Sequence, residues 1–255
     1  MNNKLPLPQI FGESNIGLTR NKNEDSFFYQ VLSEHGLVMA AVADGVGGHI
    51  EGAMASNLVC QYIAAQWFNG INLNREAQPH EAERCALNLV QAIRGANQDL
   101  YARNVYKQIS APSSSTVVAA IIDASKVRIW HVGDSRFYCC RDGVLTQVTR
   151  DHTIVRKLQD AGVVLTPEIQ KQYGHIISRA IGSGNNVEVE DNELERRAGD
   201  RYLLCSDGLS NMVKIDRIQE IMTQVTSARE CNCELMRQAL IGGGTDNVTV
   251  VSIFS

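Results

Sequence analysis

Nothing in this chain approaches the roughly 20 consecutive apolar residues that span a bilayer, and its first residues carry no apolar block that would head a secretory leader. It lacks a basic excess: 24 Lys and Arg face 28 Asp and Glu, a formal net charge of -4. Such a chain has no positive field to collect a nucleic-acid backbone. The seven cysteines, Cys60, Cys85, Cys139, Cys140, Cys205, Cys231 and Cys233, contain no C-x-x-C pair and are odd in number, which argues against a zinc site or a disulfide framework. Internal repeats, low-complexity tracts and linker-like stretches are missing as well. The segment Gly45-Val46-Gly47-Gly48-His49-Ile50 has Ile50 where a dinucleotide loop needs its last glycine, and neither a Walker lysine nor a G-x-S-x-G elbow occurs. These absences leave the expectation of a soluble cytoplasmic protein with reduced thiols, without membrane or nucleic-acid partners.

What is present is 255 residues with 44% apolar content, enough for one compact domain over 1–255. Short β-branched and aromatic runs bounded by turn residues predict strands at 27–32, 37–43, 115–123, 126–131, 136–141, 187–194, 201–205 and 247–254. Two helices interrupt them. One covers about 52–68, and in the other Ala86, Leu89, Val90, Ile93, Asn97, Leu100 and Tyr101 repeat with the spacing of one buried stripe. Strands joined by tight turns, with long helices in a block, indicate an α+β fold built on antiparallel sheet. Segment 151–180 mixes a short helical pattern with polar residues and is expected to form a flap. The charge run 188–197 alternates with apolar residues as a solvated edge strand would.

Four segments place Asp beside Gly, Asn or Glu: Asn23-Glu24-Asp25, Asp44-Gly45-Val46-Gly47-Gly48, Ser206-Asp207-Gly208 and Gly244-Thr245-Asp246-Asn247. Any one of these reads most simply as a turn, with Asp bonding its own backbone and Gly taking positive φ. Yet Asp44 and Asp207 each end an apolar run, so neighbouring strands could bring their carboxylates to one end of a sheet. Converging carboxylates need a cation, and oxygen-only donors suit Mg²⁺ or Mn²⁺.

Taken in order, Gly17-Leu18-Thr19-Arg20-Asn21-Lys22-Asn23-Glu24-Asp25, Asp44-Gly45-Val46-Gly47-Gly48, Val132-Gly133-Asp134-Ser135-Arg136, Cys205-Ser206-Asp207-Gly208-Leu209 and Thr245-Asp246-Asn247-Val248-Thr249 resemble the type 2C (PPM) protein phosphatases of the bacterial single-domain branch. The resemblance runs from about Gly12 to Phe254. It implies a four-layer α-β-β-α sandwich of two antiparallel sheets flanked by helices, with the flap near the active cleft. It also implies hydrolysis of phosphoserine and phosphothreonine in proteins by water that two Mn²⁺ or Mg²⁺ ions activate. On the same resemblance Asp44 bridges the ions, the Gly45 carbonyl binds one, Asp207 and Asp246 bind the other, and Glu24 and Asp25 hold coordinated water or ligate directly. Asp134, with Asp207, would hold a third, weaker ion; alternatively it only caps a turn before Arg136. Arg20 would grip the substrate phosphate, since its planar fork can donate two parallel hydrogen bonds. A monomer acting on phosphorylated proteins, among them a serine/threonine kinase or its substrates, is expected.

The chain departs from the family pattern at Val46, where some relatives carry a histidine, and at Ala53, where many carry glutamate. The histidine is thought to protonate the leaving alkoxide in those relatives, a role that metal-bound water could take here, while Ala53 touches surrounding water networks and leaves the ligands intact. His49 and His152 lie near the motifs and are read as scaffold. Two other readings stay open: a noncatalytic regulatory module of the same fold, and a phosphomonoesterase for small esters.

Overall fold

The computed structural model describes residues 5–47, 50–70, 81–107 and 112–255. In chain order, β1 (Gln9–Asn15), β2 (Asp25–Leu32) and β3 (Leu37–Val46) lead into the helices α1 (Ile50–Gly70) and α2 (Glu81–Lys107). A two-residue β4 (Ser114–Ser115) precedes β5 (Val117–Ile122), β6 (Lys126–Val132), β7 (Arg136–Arg141) and β8 (Val144–Gln147). Two short helices follow, α3 (Ile154–Asp160) and α4 (Pro167–Tyr173), then β9 (Glu190–Glu195) and β10 (Arg201–Cys205). The chain closes with α5 (Asp207–Ser210), α6 (Ile215–Gln224), α7 (Ala228–Ile241) and β11 (Val248–Phe254).

All the strand pairs are antiparallel. One sheet runs β1-β11-β10-β7-β8 and the other β2-β3-β5-β6-β9, with β4 paired to β3. Strand β3 shows why the two sheets stack. Every residue of 37–43 is buried. Leu37, Met39, Ala41 and Ala43 pack with Val59, Ile63, Leu89 and Ile93 of α1 and α2, whereas Val38, Ala40 and Val42 meet Tyr202, Leu204, Val251 and Ile253 of the opposite sheet. A strand covered on both faces reads as an unbroken apolar run, as this one does. The outer face of the first sheet is covered in the same way, with Tyr138, Leu203, Cys205 and Val250 against Ile218, Met222, Cys231 and Leu235 of α6 and α7. The four layers are therefore helices, sheet, sheet, helices.

The predicted strands are found within a few residues, except that the one expected at 187–194 begins only at Glu190 and runs to Glu195. It lies at the end of its sheet with alternate residues exposed, the solvated edge that its charge pattern suggested. The predicted block of two helices supplies one of the two helical layers. The sequence reading assigns no bounds to strands β1 and β8 or to helices α6 and α7, although Ile218, Ile221 and Met222 repeat with helical spacing. All seven cysteines are free; Cys231 and Cys233 sit on α7, the first buried and the second exposed. Among the described residues no helix is long and apolar enough to cross a membrane.

Candidate metal centre

Asp25 opens β2 and stands directly opposite Asp44 near the end of β3. Asp134 lies in the turn from β6 to β7, Asp207 opens α5 just after β10, and Asp246 precedes β11. Antiparallel pairing brings all these positions to one end of the sandwich, with both sheets contributing. The expectation that neighbouring strands of one sheet would supply the carboxylates thus becomes a convergence across two.

The local backbone is heavily tied. The Asp44 amide donates to Thr116 Oγ1 at 3.1 Å, and its carbonyl accepts from the Thr116 amide at 2.8 Å and Ser115 Oγ at 3.1 Å. A Cβ on Gly45 would fall 2.0 Å from the Gly52 carbonyl oxygen, so only glycine lets the first turn of α1 lie this close. Asn247 fastens the loop after β1 to the start of β11. Its Oδ1 accepts from the Glu24 amide at 2.8 Å, and its Nδ2 donates to the carbonyls of Ile16 and Lys22, both at 2.9 Å. The Glu24 carbonyl accepts from the Gly45 amide at 3.1 Å and from Ser56 Oγ at 2.6 Å, while its carboxylate lies against Gly52.

Asp25 crosses from one sheet to the other: its Oδ2 accepts from Ser206 Oγ and Thr249 Oγ1, both at 2.7 Å. Its Oδ1 is buried with no hydrogen-bond partner, and so is Oδ1 of Asp207. Asp207 Oδ2 accepts from Asn211 Nδ2 at 3.1 Å. Burial raises the carboxyl of Asp25 to about 7 against its two hydroxyl donors, and the charges of Asp207 and Asp246 add to the rise. Asp134 is lifted to about 7, first by burial and then by Asp207 and Asp151. Burial also raises Asp207, aided by the charge of Asp246 and opposed by those of Arg136 and Arg20. Desolvation holds Asp44 well above the carboxylate range, and the charges of Asp25, Asp207, Asp134 and Asp246 add to the rise. Asp25, Asp44, Asp134 and Asp207 thus all bind protons more tightly than an ordinary carboxyl. Unpartnered buried carboxylate oxygens and an all-oxygen donor set fit hard divalent cations.

Arg20, half-exposed at the rim, places Nη2 2.8 Å from Asp246 Oδ2. The residue expected to meet a phosphate here meets a carboxylate, an anion that accepts from the same guanidinium fork. Gly48 and His49 of the glycine-rich segment lie outside the described residues.

Beside the centre opens a polar cleft of about 610 Å³ bounded by Asp134 and Asp207 at its inner end and by α3 and α4 outside. Arg136 spans its floor, donating to both oxygens of Asp151 at 2.7 to 3.1 Å. His152 anchors the base of the flap. Its amide donates to the Gly133 carbonyl at 2.9 Å, its carbonyl accepts from the Ser178 amide at 2.7 Å, and Nδ1 accepts from the Gly133 amide at 3.0 Å.

Among the described residues, one trio of potential ligand atoms lies within 4.8 Å of one another, and it is His131, His152 and Glu190. A single cation could use so tight a set. The trio is nonetheless a hydrogen-bonded stack. The Gly133 amide fixes His152 as the Nε2–H tautomer, which donates to Glu190 Oε2 at 3.0 Å and keeps no lone pair there for a metal. Arg179 also brings its guanidinium within 3.1 Å of the same nitrogen. Burial lowers both histidines, so they stack neutral with centroids 4.6 Å apart. His152 is scaffold, as its position suggested.

The structure thus brings Asp25, Asp44, Gly45, Asp134, Asp207 and Asp246 to one place, with Glu24 and Arg20 on its border. Sequence reasoning passed over Thr116, Ser206, Asn247 and Thr249, which orient them. Three of these flank the aspartates within the motifs themselves, and a small hydroxyl or amide beside a buried carboxylate was the available signal.

The residue pattern of the family described as Protein phosphatase 2C matches residues 19–241. The serine/threonine protein phosphatase PstP of Mycobacterium tuberculosis is 38% identical over 240 residues, which are 93% of this chain and 43% of that protein. The chain therefore spans less than half the length of that relative. The serine/threonine phosphatase stp of Listeria monocytogenes is 31% identical over 239 residues, 93% of this chain and 92% of that one. Among solved structures, the catalytic domain of serine/threonine protein phosphatase PstP in complex with two manganese ions superposes with a TM-score of 0.79 at 36% identity, covering 97% of this chain and 98% of that one.

Proposed function

This chain belongs to the protein phosphatase 2C family, and from that premise we propose that it is a metal-dependent protein serine/threonine phosphatase over 1–255. The carrying observation is the set of converging aspartates from both sheets, in which the buried atoms Asp25 Oδ1 and Asp207 Oδ1 have no hydrogen-bond partner. PstP, 36% identical, is solved with two manganese ions, and the oxygen donors here suit Mn²⁺ or Mg²⁺. When bound, such a pair of ions supplies acidified water and neutralises charge on a phosphoryl group.

The protein's own groups do the rest. Asp44, at the centre of the cluster, would bridge the two ions; the Gly45 carbonyl would complete one of them. Asp207 and Asp246 would hold the other, and Glu24 and Asp25 would ligate or orient water. Asp134 with Asp207 would take a third, weaker ion. Ser206 and Thr249 occupy Oδ2 of Asp25 while its buried Oδ1 has no hydrogen-bond partner, which supports a ligating role for that atom. Arg20 would bind the phosphate through its planar donors and so fix the ester for in-line attack. The open polar cleft beside Asp134 and Asp207 favours a peptide segment over an isolated small ester. Phosphorylated proteins, including a serine/threonine kinase or its targets, are the substrates in this reading, and the enzyme acts as a cytoplasmic monomer.

Phosphate release from a phosphothreonine peptide by metal-stripped protein, before and after Mn²⁺, tests the proposal. We expect release only with metal, and a loss of at least about a hundredfold in Asp207→Asn, as for removal of one electrostatic stabiliser. Release that is indifferent to metal, or undiminished in the variant, would sink it.

A further inference from the structure

The cleft beside the metal centre has an outer end whose charge is unbalanced. Arg150, just after β8, and Arg156, on α3, both line it and both turn to the same carboxylate oxygen, Oδ1 of Asp160. Arg150 contacts that oxygen through Nη2, and Arg156 lies 3.5 Å away through Nε. Two guanidinium charges thus share a single carboxylate, so one positive charge remains. The remaining charged groups on the lining do not cancel it. Arg136 and Asp151 neutralise each other, and Asp134 and Asp207 belong to the inner end.

The two arginines are half-exposed, yet they stand on fixed backbone. The Arg150 carbonyl accepts from His131 Nε2 at 2.9 Å, and the Phe137 amide ties the preceding Thr149 through Oγ1 at 3.0 Å. The Arg156 amide donates to Thr153 Oγ1 at 3.2 Å at the start of α3. Around them the lining is rich in neutral amides, with Gln147, Gln159 and Gln170 able to pair with a peptide backbone. Charge thus changes sign along the cleft, from carboxylates inside to guanidinium groups outside.

We propose that this outer end is a subsite for an anionic side chain on the substrate, set to one side of the phosphorylated residue, with Arg150 and Arg156 as its cationic partners. The ligand chemistry is a carboxylate of Asp or Glu or the phosphate of a second phosphorylated residue. The inference rests on the phosphatase reading and adds a substrate class to it. Because both arginines are exposed to solvent, the preference is modest and weakens as salt rises.

The test is a set of phosphothreonine peptides with alanine flanks in which one Asp is walked through the four positions on either side, assayed with the Mn²⁺-loaded protein. At its best position Asp should raise kcat/KM about three- to fivefold over Ala, the scale of one exposed ion pair. Lys there should lower it. Phosphoserine at the same position, with mass spectrometry reading which phosphate leaves, separates the two sources. A gain for phosphoserine alone identifies a second phosphate, and a gain for both identifies any anion. In Arg150→Glu/Arg156→Glu the ratio of Asp to Lys peptides should invert, with an unchanged melting temperature as the folding control. Equal kcat/KM along the walk, or a preference that survives both charge reversals, overturns the subsite while leaving the phosphatase intact. If no peptide loses phosphate, the phosphatase reading fails, and anisotropy titrations of the same labelled peptides still decide whether Asp strengthens binding through the two arginines.

Discussion

At the scale of single residues, Asn247 and Arg20 stand out for opposite reasons. Asn247 makes three side-chain hydrogen bonds, to the Glu24 amide and to the carbonyls of Ile16 and Lys22, and is buried. Asn247→Ala strands those backbone groups, and urea denaturation should show a loss of about 2–4 kcal/mol, the cost of a few unmet buried partners. Arg20 is half-exposed, and its ion pair with Asp246 contributes little to folding. Arg20→Ala should keep stability near wild type and raise KM for a phosphothreonine peptide about tenfold with kcat much less affected. A wild-type KM in steady-state assays would take Arg20 out of the substrate site. The contrast shows what the sequence made legible. The metal-site candidates could be named because each is an acid in a motif that also ends an apolar run. Asn247 sits in the same motif, but its role depends on three backbone groups some 220 to 230 residues away, and no local pattern encodes that.

At the scale of elements, the flap is held at its base by His152, through four hydrogen bonds that reach Gly133, Ser178 and Glu190. His152→Ala removes two of them, those of the imidazole. Amide hydrogen exchange should accelerate over α3 and α4 and leave β10 and β11 at their wild-type rates. Acceleration everywhere would mean that His152 supports the whole sandwich instead. Elements were legible where burial was continuous: β3 and β5 are apolar on both faces and could be placed to within a few residues. Strand β8 escaped because Val144 and Thr146 are exposed and only Leu145 is buried. Helix α7 escaped because its buried face includes Cys231 and Asn232 beside Leu235 and Met236, a stripe weak in hydrophobicity. Helix α6 carried a clear stripe, Ile218, Ile221 and Met222, within a segment that the count of strands and of two long helices had left unassigned.

At the scale of the whole molecule, opposed carboxylates set the response to acid. Asp25 and Asp134, near 7 when folded and 3.8 otherwise, bind protons more tightly in the native state. Without metal, stability should therefore fall as pH rises from about 4 through 7. Asp200 behaves in reverse. Burial pushes its carboxyl up, but hydrogen bonds from Arg141, Tyr202 and the Arg197 amide outweigh this and leave it below 3.8. Its stabilisation is present above 3.8 and disappears as pH drops through the lower folded value. Thermal melts of metal-stripped protein should then peak in weak acid, and Mn²⁺ should raise the melting temperature at pH 8 far more than at pH 5. An equal rise at both would separate metal binding from these aspartates. The layer between the sheets has a further, mechanical consequence. Tyr202, Val251, Val38 and their neighbours meet there through contacts without direction, while at one end Asp25 is bolted to Ser206 and Thr249. The sandwich is thus a pair of plates with a slip plane between them and a rivet at one edge. Because the proposed ligands sit on both plates, the gauge of that filling sets the gap between them. A side chain shortened deep in the middle, such as Val251→Ala, would change the tolerance to which the distant metal seat is cut.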